Sequence, residues 1–324
     1  MFHLANFVAH QQGTSRFEKG STMALSAALS NYPYTAALLD HSVEPHGFEV
    51  DYVAVEPNIV AAFRRMMRGL EFDFCELGVT SYLAGWDYQN DLTAVPVFPS
   101  CGFPFRAMHV NTTAGIESPK DLNGKRIACR TYTVTAVVWA RGILSDHYGV
   151  DLDSITWVIN DEEHSDGFVW PANVEYQKGA DLVGMASSGE VAAAFGLVRG
   201  EVDNMRPLFD DPAAEERQWY NSTKIFPINH AIALKASLVE ADAELPKNLV
   251  DYFEAGKSVF MDRLAAGVAL SPAESALAEM RSLVGPDPVP YGIEATRPTL
   301  DALLRYSYEQ HITNELLTID DIFA

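Results

Sequence analysis

Residues 23–86 alternate between strand-like and helix-like stretches, and that rhythm leaves few folds open. "TMALSAALS" and "FEVDYVAV" read as strands, the second by its alternation, and "TAALLDHSV" starts a helix. "IVAAFRRMMRGL" has apolar residues at helical spacing with basic residues on the other face. "FDFCELGVTSYLAGW" reads as strand, glycine turn and helix. Such a β-α-β succession predicts a parallel sheet with helices on its faces.

The rhythm then breaks. In "LTAVPVFPSCGFPFRAMHVN" the prolines at 96, 99 and 104 interrupt two apolar runs, and the chain continues extended. A second β/α series follows. It contains the turn and helix start "SPKDLNGKRIACR", the helix "TAVVWARGILSDHYGV" and the strand "SITWVIN". "KIFPINHAIALKASL" is extended again, and from "LPKNLVDYFEAGKSVF" the pattern is helical. Two extended crossings imply an α/β fold of two lobes with a ligand cleft between them. The expected division is an N-terminal arm (1–20), a discontinuous first lobe (21–105 and 231–324) and an inserted second lobe (106–230). The charge run "DEEHSD" and the acidic "DDPAAEE" read as solvated loops, and "FDDPAAEERQWYNS" as a disorder risk.

Charge narrows the partners. Of 324 residues, 23 are Lys or Arg and 44 are Asp or Glu, a formal net charge of −21. Such a surface repels nucleic acid and anionic membranes, so a small anionic ligand needs strong local donors. The three cysteines form no CxxC pair, which points to a reducing compartment. The first 21 residues lack the basic start and unbroken apolar core of a secretory signal, so a cytoplasmic location is expected.

Candidate site residues follow from these placements. Arg130, Thr131, Tyr132, Thr133 and Thr135 crowd a helix start, where unpaired N–H groups favour an anion. One cap needs one hydroxyl, so the surplus suggests a carboxylate or phosphate site. Glu76, Thr80 and Ser81 occupy the corresponding strand end of the first lobe, where open α/β sheets bind ligands. A buried Glu76 would be an acid or base with a raised pKa. Ser100 and Arg106 lie near the first crossing, with Arg106 able to fork onto a carboxylate. Asn229 and His230 lie on the second crossing, and His164 in a polar loop; both histidines suit proton transfer near neutral pH. Trp139 is a stacking surface or a core residue, and Arg297 a cleft residue or half of a surface ion pair. His164, His230 and Glu76 also have metal-ligand chemistry, but no HxH or HExxH spacing accompanies them; no cofactor is expected.

The segments "FDFCELGVTSYL", "VPVFPS", "SPKDLNGKRI", "YTVTAVVWARGIL", "YGVDLDSITWV", "IFPINH" and "PYGIEATRPTLDALLRYSYEQ" run in one order along the chain. In that order the chain resembles the 4,5-dihydroxyphthalate decarboxylases, which have a two-lobed fold like type 2 periplasmic binding proteins. The resemblance implies a carboxy-lyase of aromatic catabolism, with a hydroxylated aromatic carboxylate as substrate, no cofactor and possible self-association. It supports a direct role for His230. The chain departs from the family pattern at Cys101, where an arginine is common, after Arg106, where a histidine is common, at Arg130, often acidic, and at Asn229, usually methionine. A non-catalytic binding protein or sensor for a small carboxylate, or a related lyase with another substrate, fits the same fold.

Overall fold

The computed structural model describes residues 23–88, 91–267 and 270–324, so the expected arm at 1–20 lies outside the described residues. Among these residues eleven strands occur in chain order: β1 (Met23–Ala28), β2 (Phe48–Tyr52), β3 (Phe74–Gly78), β4 (Leu92–Cys101), β5 (Met108–Asn111), β6 (Arg126–Ala128), β7 (Thr156–Ile159), β8 (Val174–Tyr176), β9 (Ala193–Phe195), β10 (Met205–Pro207) and β11 (Ile228–Lys235). They form two sheets, ordered β2-β1-β3-β11-β4 and β10-β5-β9-β6-β7-β8. Each sheet follows one plan. The strand that arrives from the other lobe runs antiparallel, β11 between β3 and β4, and β5 between β9 and β10. The remaining pairs are parallel. This is the two-lobed α/β fold that the sequence implied.

The crossings meet where the Gly102 N–H donates to Pro227 O at 2.9 Å. Pro96 and Pro99 do not break the chain there, as the sequence suggested; both lie inside β4. β4 is an edge strand, so a missing N–H is tolerated, and its pairing with β11 carries register shifts.

Every residue of β3 is buried, as expected for a strand covered on both faces. Glu76 in its middle is therefore a carboxylate that must find partners. The Val60–Gly69 helix buries Ala62, Phe63, Met66 and Met67, which leaves Arg64, Arg65 and Arg68 at its rim. Among the described residues, no helix is long and apolar enough to cross a membrane.

Two loops expected to be solvated are so only in part, with Asp166, Asp210 and Asp211 exposed. Glu163, His164 and Ser165 are buried. The acidic stretch after Phe209 starts the Pro212–Thr223 helix, capped by the Asp211 side chain, with Glu216 buried. Distant partners hold the buried acids, Tyr132, Thr133 and Trp170 for Glu163 and Arg106 for Glu216, which local composition does not reveal.

The Ile293–Glu309 helix joins the lobes. Its Tyr306 lies against Gly142 so closely that an added Cβ would overlap the ring. Gln310 accepts from Arg141 Nε at 2.6 Å and donates to Val138 O at 3.0 Å, both on the second-lobe helix Thr135–Tyr148. On the first lobe, the Gly292 N–H donates to Pro96 O at 2.7 Å and the Tyr82 hydroxyl to Ile322 O at 3.1 Å.

Candidate active site

A cavity of ≈ 200 Å³ lies between the lobes. Val60, Phe63, Gly78, Ser81, Ser100, Asn229 and His230 line it from the first sheet and its helices, and Arg130, Val134, Thr135, Ala136 and His164 from the second lobe. A void of this order holds one six-membered ring with small substituents.

At one end stands His230. Its Nδ1 is 2.6 Å from Glu76 Oε1. Glu76 has no exposed surface and also accepts from the Tyr32 hydroxyl at 2.8 Å and the Ser30 N–H at 2.9 Å. The sequence led to the expectation that burial would raise this carboxyl. Burial does push it up, but the hydrogen bond and charge of His230, with the Ser30 and Tyr32 donors, outweigh that and hold it below the usual carboxylate range. A carboxylate only accepts, so His230 Nδ1 carries a proton and donates it. The other ring nitrogen, Nε2, has no protein partner among the described residues and is the one left to work in the cavity. Phe63 meets both imidazoles edge to face, with centroids at 5.1 Å from His230 and 5.4 Å from His164.

At the other end, Arg130 is a largely buried guanidinium that makes no ion pair within 4.0 Å among the described residues. Burial, opposed by Asp161 and reinforced by Arg64, lowers its pKa. Its Nη2 is 3.2 Å from His164 Nε2. A guanidinium only donates, so His164 Nε2 carries the lone pair and Nδ1 the proton. Nδ1 donates to Ser81 Oγ at 3.0 Å. Burial first, then the Arg130 and Arg64 charges, drive the His164 pKa down to about 3. His164 is thus a neutral side chain that aims Arg130, not a proton carrier.

The hydroxyl-rich helix start has already found an anion. Glu163, itself buried, accepts from the Tyr132 N–H at 2.7 Å, the Thr133 N–H at 3.2 Å, the Thr133 hydroxyl at 2.5 Å and Trp170 Nε1 at 2.9 Å. Tyr132 and Thr133 therefore bind within the chain, and Thr131 Oγ1 is buried without a partner among the described residues. The Thr80 hydroxyl donates to Thr133 O at 2.5 Å and lies 2.9 Å from the Thr135 hydroxyl, which clasps the two lobes together. What faces the cavity is the first turn proper. The N–H groups of Thr135 and Ala136 lie ahead of the first intrahelical bonds, and no protein acceptor meets them among the described residues.

The remaining expected residues divide clearly. Ser100 and Asn229 line the cavity, Asn229 with a buried Oδ1 that has no partner among the described residues. Arg106 does not reach it: its Nε pairs with Glu216 at 3.0 Å. Trp139 is a core residue, fully buried, with its N–H on Ile228 O at 2.8 Å. Arg297 pairs with Glu294 at 2.9 Å on the surface. Cys101 is a thiol that burial pushes up. Among the described residues no three His, Cys, Asp or Glu side chains converge as metal ligands, and His164 turns its lone pair to a cation. Phe63, Arg64, Glu163 and Tyr32 were missed. The i, i+4 arginines of "AFRRMMR" were the visible signal for Arg64; nothing local marked the others.

No protein-family profile matches the chain. The chain is 31% identical to a 4,5-dihydroxyphthalate decarboxylase of Comamonas testosteroni, over 94% of its own length and 97% of the relative's. It is 32% identical to the enzyme of that name from Pseudomonas putida, over 61% of its length and 81% of the relative's. Among solved structures, the periplasmic aliphatic sulphonate binding protein SsuA of Escherichia coli aligns with a TM-score of 0.54 at 15% identity, covering 94% of this chain and 98% of that one. The desulfurization enzyme DszB aligns with a TM-score of 0.50 at 16% identity, covering 93% and 96%. These two likenesses concern the fold.

Proposed function

The chain belongs to the 4,5-dihydroxyphthalate decarboxylase family, and we propose that it removes carbon dioxide from a hydroxylated aromatic carboxylate by protonating the ring carbon that bears the carboxylate. The observation that carries this reading is the pairing, across one ring-sized cavity, of a carboxylate-backed histidine with a largely buried arginine that makes no ion pair within 4.0 Å among the described residues. A binding protein needs the second; a proton-transfer enzyme needs both.

The substrate supplies its own electron source. A hydroxyl para to the carboxyl-bearing carbon donates electron density, and that carbon takes a proton from His230 Nε2. The ring loses aromaticity and the hydroxyl oxygen gives up its proton. The C–C bond to the carboxylate then breaks, its electron pair returns to the ring and carbon dioxide leaves, and the phenolate oxygen takes back from solvent water the proton it had released there, restoring the phenol. His230 regains a proton from solvent. Glu76 stabilises the charged imidazole and fixes its ring, which is the role of a buried carboxylate behind a general acid. Arg130, aimed by His164, binds substrate through a carboxylate. Phe63 and Val60 give the ring an apolar wall and limit water.

Three free cysteines, Cys75 and Cys129 buried, support a reducing, cytoplasmic setting, and the expected partner is a small aromatic acid of phthalate catabolism. The test is incubation with 4,5-dihydroxyphthalate while carbon dioxide and dihydroxybenzoate are measured. Stoichiometric formation of both is expected, with His230→Asn reduced at least ~100-fold in kcat while still binding substrate. Tight binding with no carbon dioxide, or a fully active His230→Asn, refutes the assignment.

A further inference from the structure

Val60, Arg130 and His164 line the inner cavity and also a larger basin outside it, ≈ 620 Å³, bounded by the Val60–Gly69 helix and Asp161. The arginines of that basin are not equally occupied. Arg65 gives its Nε to Glu71 at 2.8 Å. Arg68 pairs with Asp166 at 3.0 Å and Glu162 at 3.7 Å. Arg64 and Arg130 share Asp161 as their acid among the described residues: it is 3.1 Å from Arg64 Nη2, which also donates to Glu162 O at 2.8 Å, and both arginines lower its pKa. Glu163 also lies in the field of Arg130, but four other donors occupy it. Arg64 also keeps a buried Nε without an acceptor among the described residues, and its charge lowers the pKa of Arg130. Asp161 is the one carboxylate in ion-pair reach of this pair among the described residues, so guanidinium N–H donors are left over that an anion would meet.

The reaction itself says which carboxylate belongs there. The carboxylate that leaves departs as neutral carbon dioxide, so a strong cation upon it would stabilise the ground state more than the transition state and slow the reaction. A guanidinium pair serves catalysis only on a carboxylate that stays. Resting on the decarboxylase reading, we propose that Arg64 and Arg130 form a subsite for a second, non-reacting carboxylate at the junction of cavity and basin. The enzyme then selects vicinal aromatic diacids and stops after one carbon dioxide. The monoacid product still carries a hydroxyl para to its carboxyl group, so ring chemistry alone does not prevent a second loss. With no second carboxylate to fill the subsite, the product is held weakly and leaves before its remaining carboxyl reacts.

Phthalate and benzoate, which lack the hydroxyl and do not react, separate the subsite from catalysis. Each is titrated calorimetrically into the full chain, into Arg64→Gln and into Asp161→Asn. Phthalate is expected to bind wild type at least 10-fold more tightly than benzoate. Arg64→Gln should lose most of that preference with benzoate affinity unchanged, which also reports an intact fold. Asp161→Asn breaks the Arg64 ion pair but leaves the guanidinium, and should keep the preference. No preference in wild type, an undiminished preference in Arg64→Gln, or equal losses in both variants would overturn the subsite. Failure of the decarboxylase reading looks different: phthalate binds as described, yet dihydroxyphthalate releases no carbon dioxide.

Discussion

Replacing Glu76 by Gln tests the catalytic pair without touching the cavity wall. The side chain is fully buried and accepts from His230, Tyr32 and Ser30. Gln keeps one acceptor oxygen for His230 and Tyr32 but turns an NH2 toward the Ser30 N–H. Two donors then face each other in a buried site, at a cost of about 1–3 kcal/mol in folding stability. The larger effect is electrostatic. Unit charges about 4 Å apart at an effective dielectric near 20 interact by about 4 kcal/mol, and the 2.6 Å contact of Glu76 with His230 is at least that close. Removing that support from the protonated imidazole lowers the rate by up to about 1000-fold at ~1.4 kcal/mol per decade. Because the acid stays chemically competent, the expected fall in kcat is about 100- to 1000-fold. KM should stay within about threefold, since Glu76 makes no contact with the cavity. Carbon dioxide release at saturating dihydroxyphthalate, alongside thermal unfolding, measures both effects. A variant within tenfold of wild-type kcat, folded at the assay temperature, would refute the role given to the pair.

Arg130→Met should raise KM about 10- to 100-fold, the equivalent of about 1.5–3 kcal/mol for a charged hydrogen bond, while the ligand-free protein melts no lower than wild type because an unpaired buried charge is gone. Differential scanning calorimetry with and without phthalate separates the two effects. For His164, the folded pKa of about 3 lies below the ordinary 6.5, so the unfolded chain takes up a proton that the folded one refuses. Its contribution to stability is full above pH 6.5 and is lost as pH falls toward 3. Urea unfolding at pH 7 and pH 5 should show a smaller pH-dependent loss in His164→Asn than in wild type. Gly142→Ala places a methyl group in the Tyr306 ring and should cost about 1–3 kcal/mol in chemical denaturation.

Much of the fold was legible because it depends on period and punctuation. The βαβ rhythm and two extended crossings gave the lobes, and Glu76, Ser81, Arg130, Asn229 and His230 fell where strand ends and crossings converge. What was not legible depended on partners far along the chain. Arg106 looked like a ligand because Glu216 lies 110 residues away, and the Thr131–Thr135 hydroxyls looked vacant because Glu163 sat in a run that resembles a solvated loop. Phe63 was hidden for the opposite reason: a phenylalanine on the apolar stripe of an amphipathic helix has no local mark that sets it between two imidazoles.

The Ile293–Glu309 helix bears on how the molecule breathes. Tyr306 and Gln310 tie it to one half and Gly292 to the other, so a wide swing of the halves would tear one set of attachments loose. The chain is buckled as well as hinged. Guests must come and go by small local yielding, with the exposed Arg64–Asp161 fastening as the natural place to give. Added salt, which weakens such fastenings, should therefore quicken product escape.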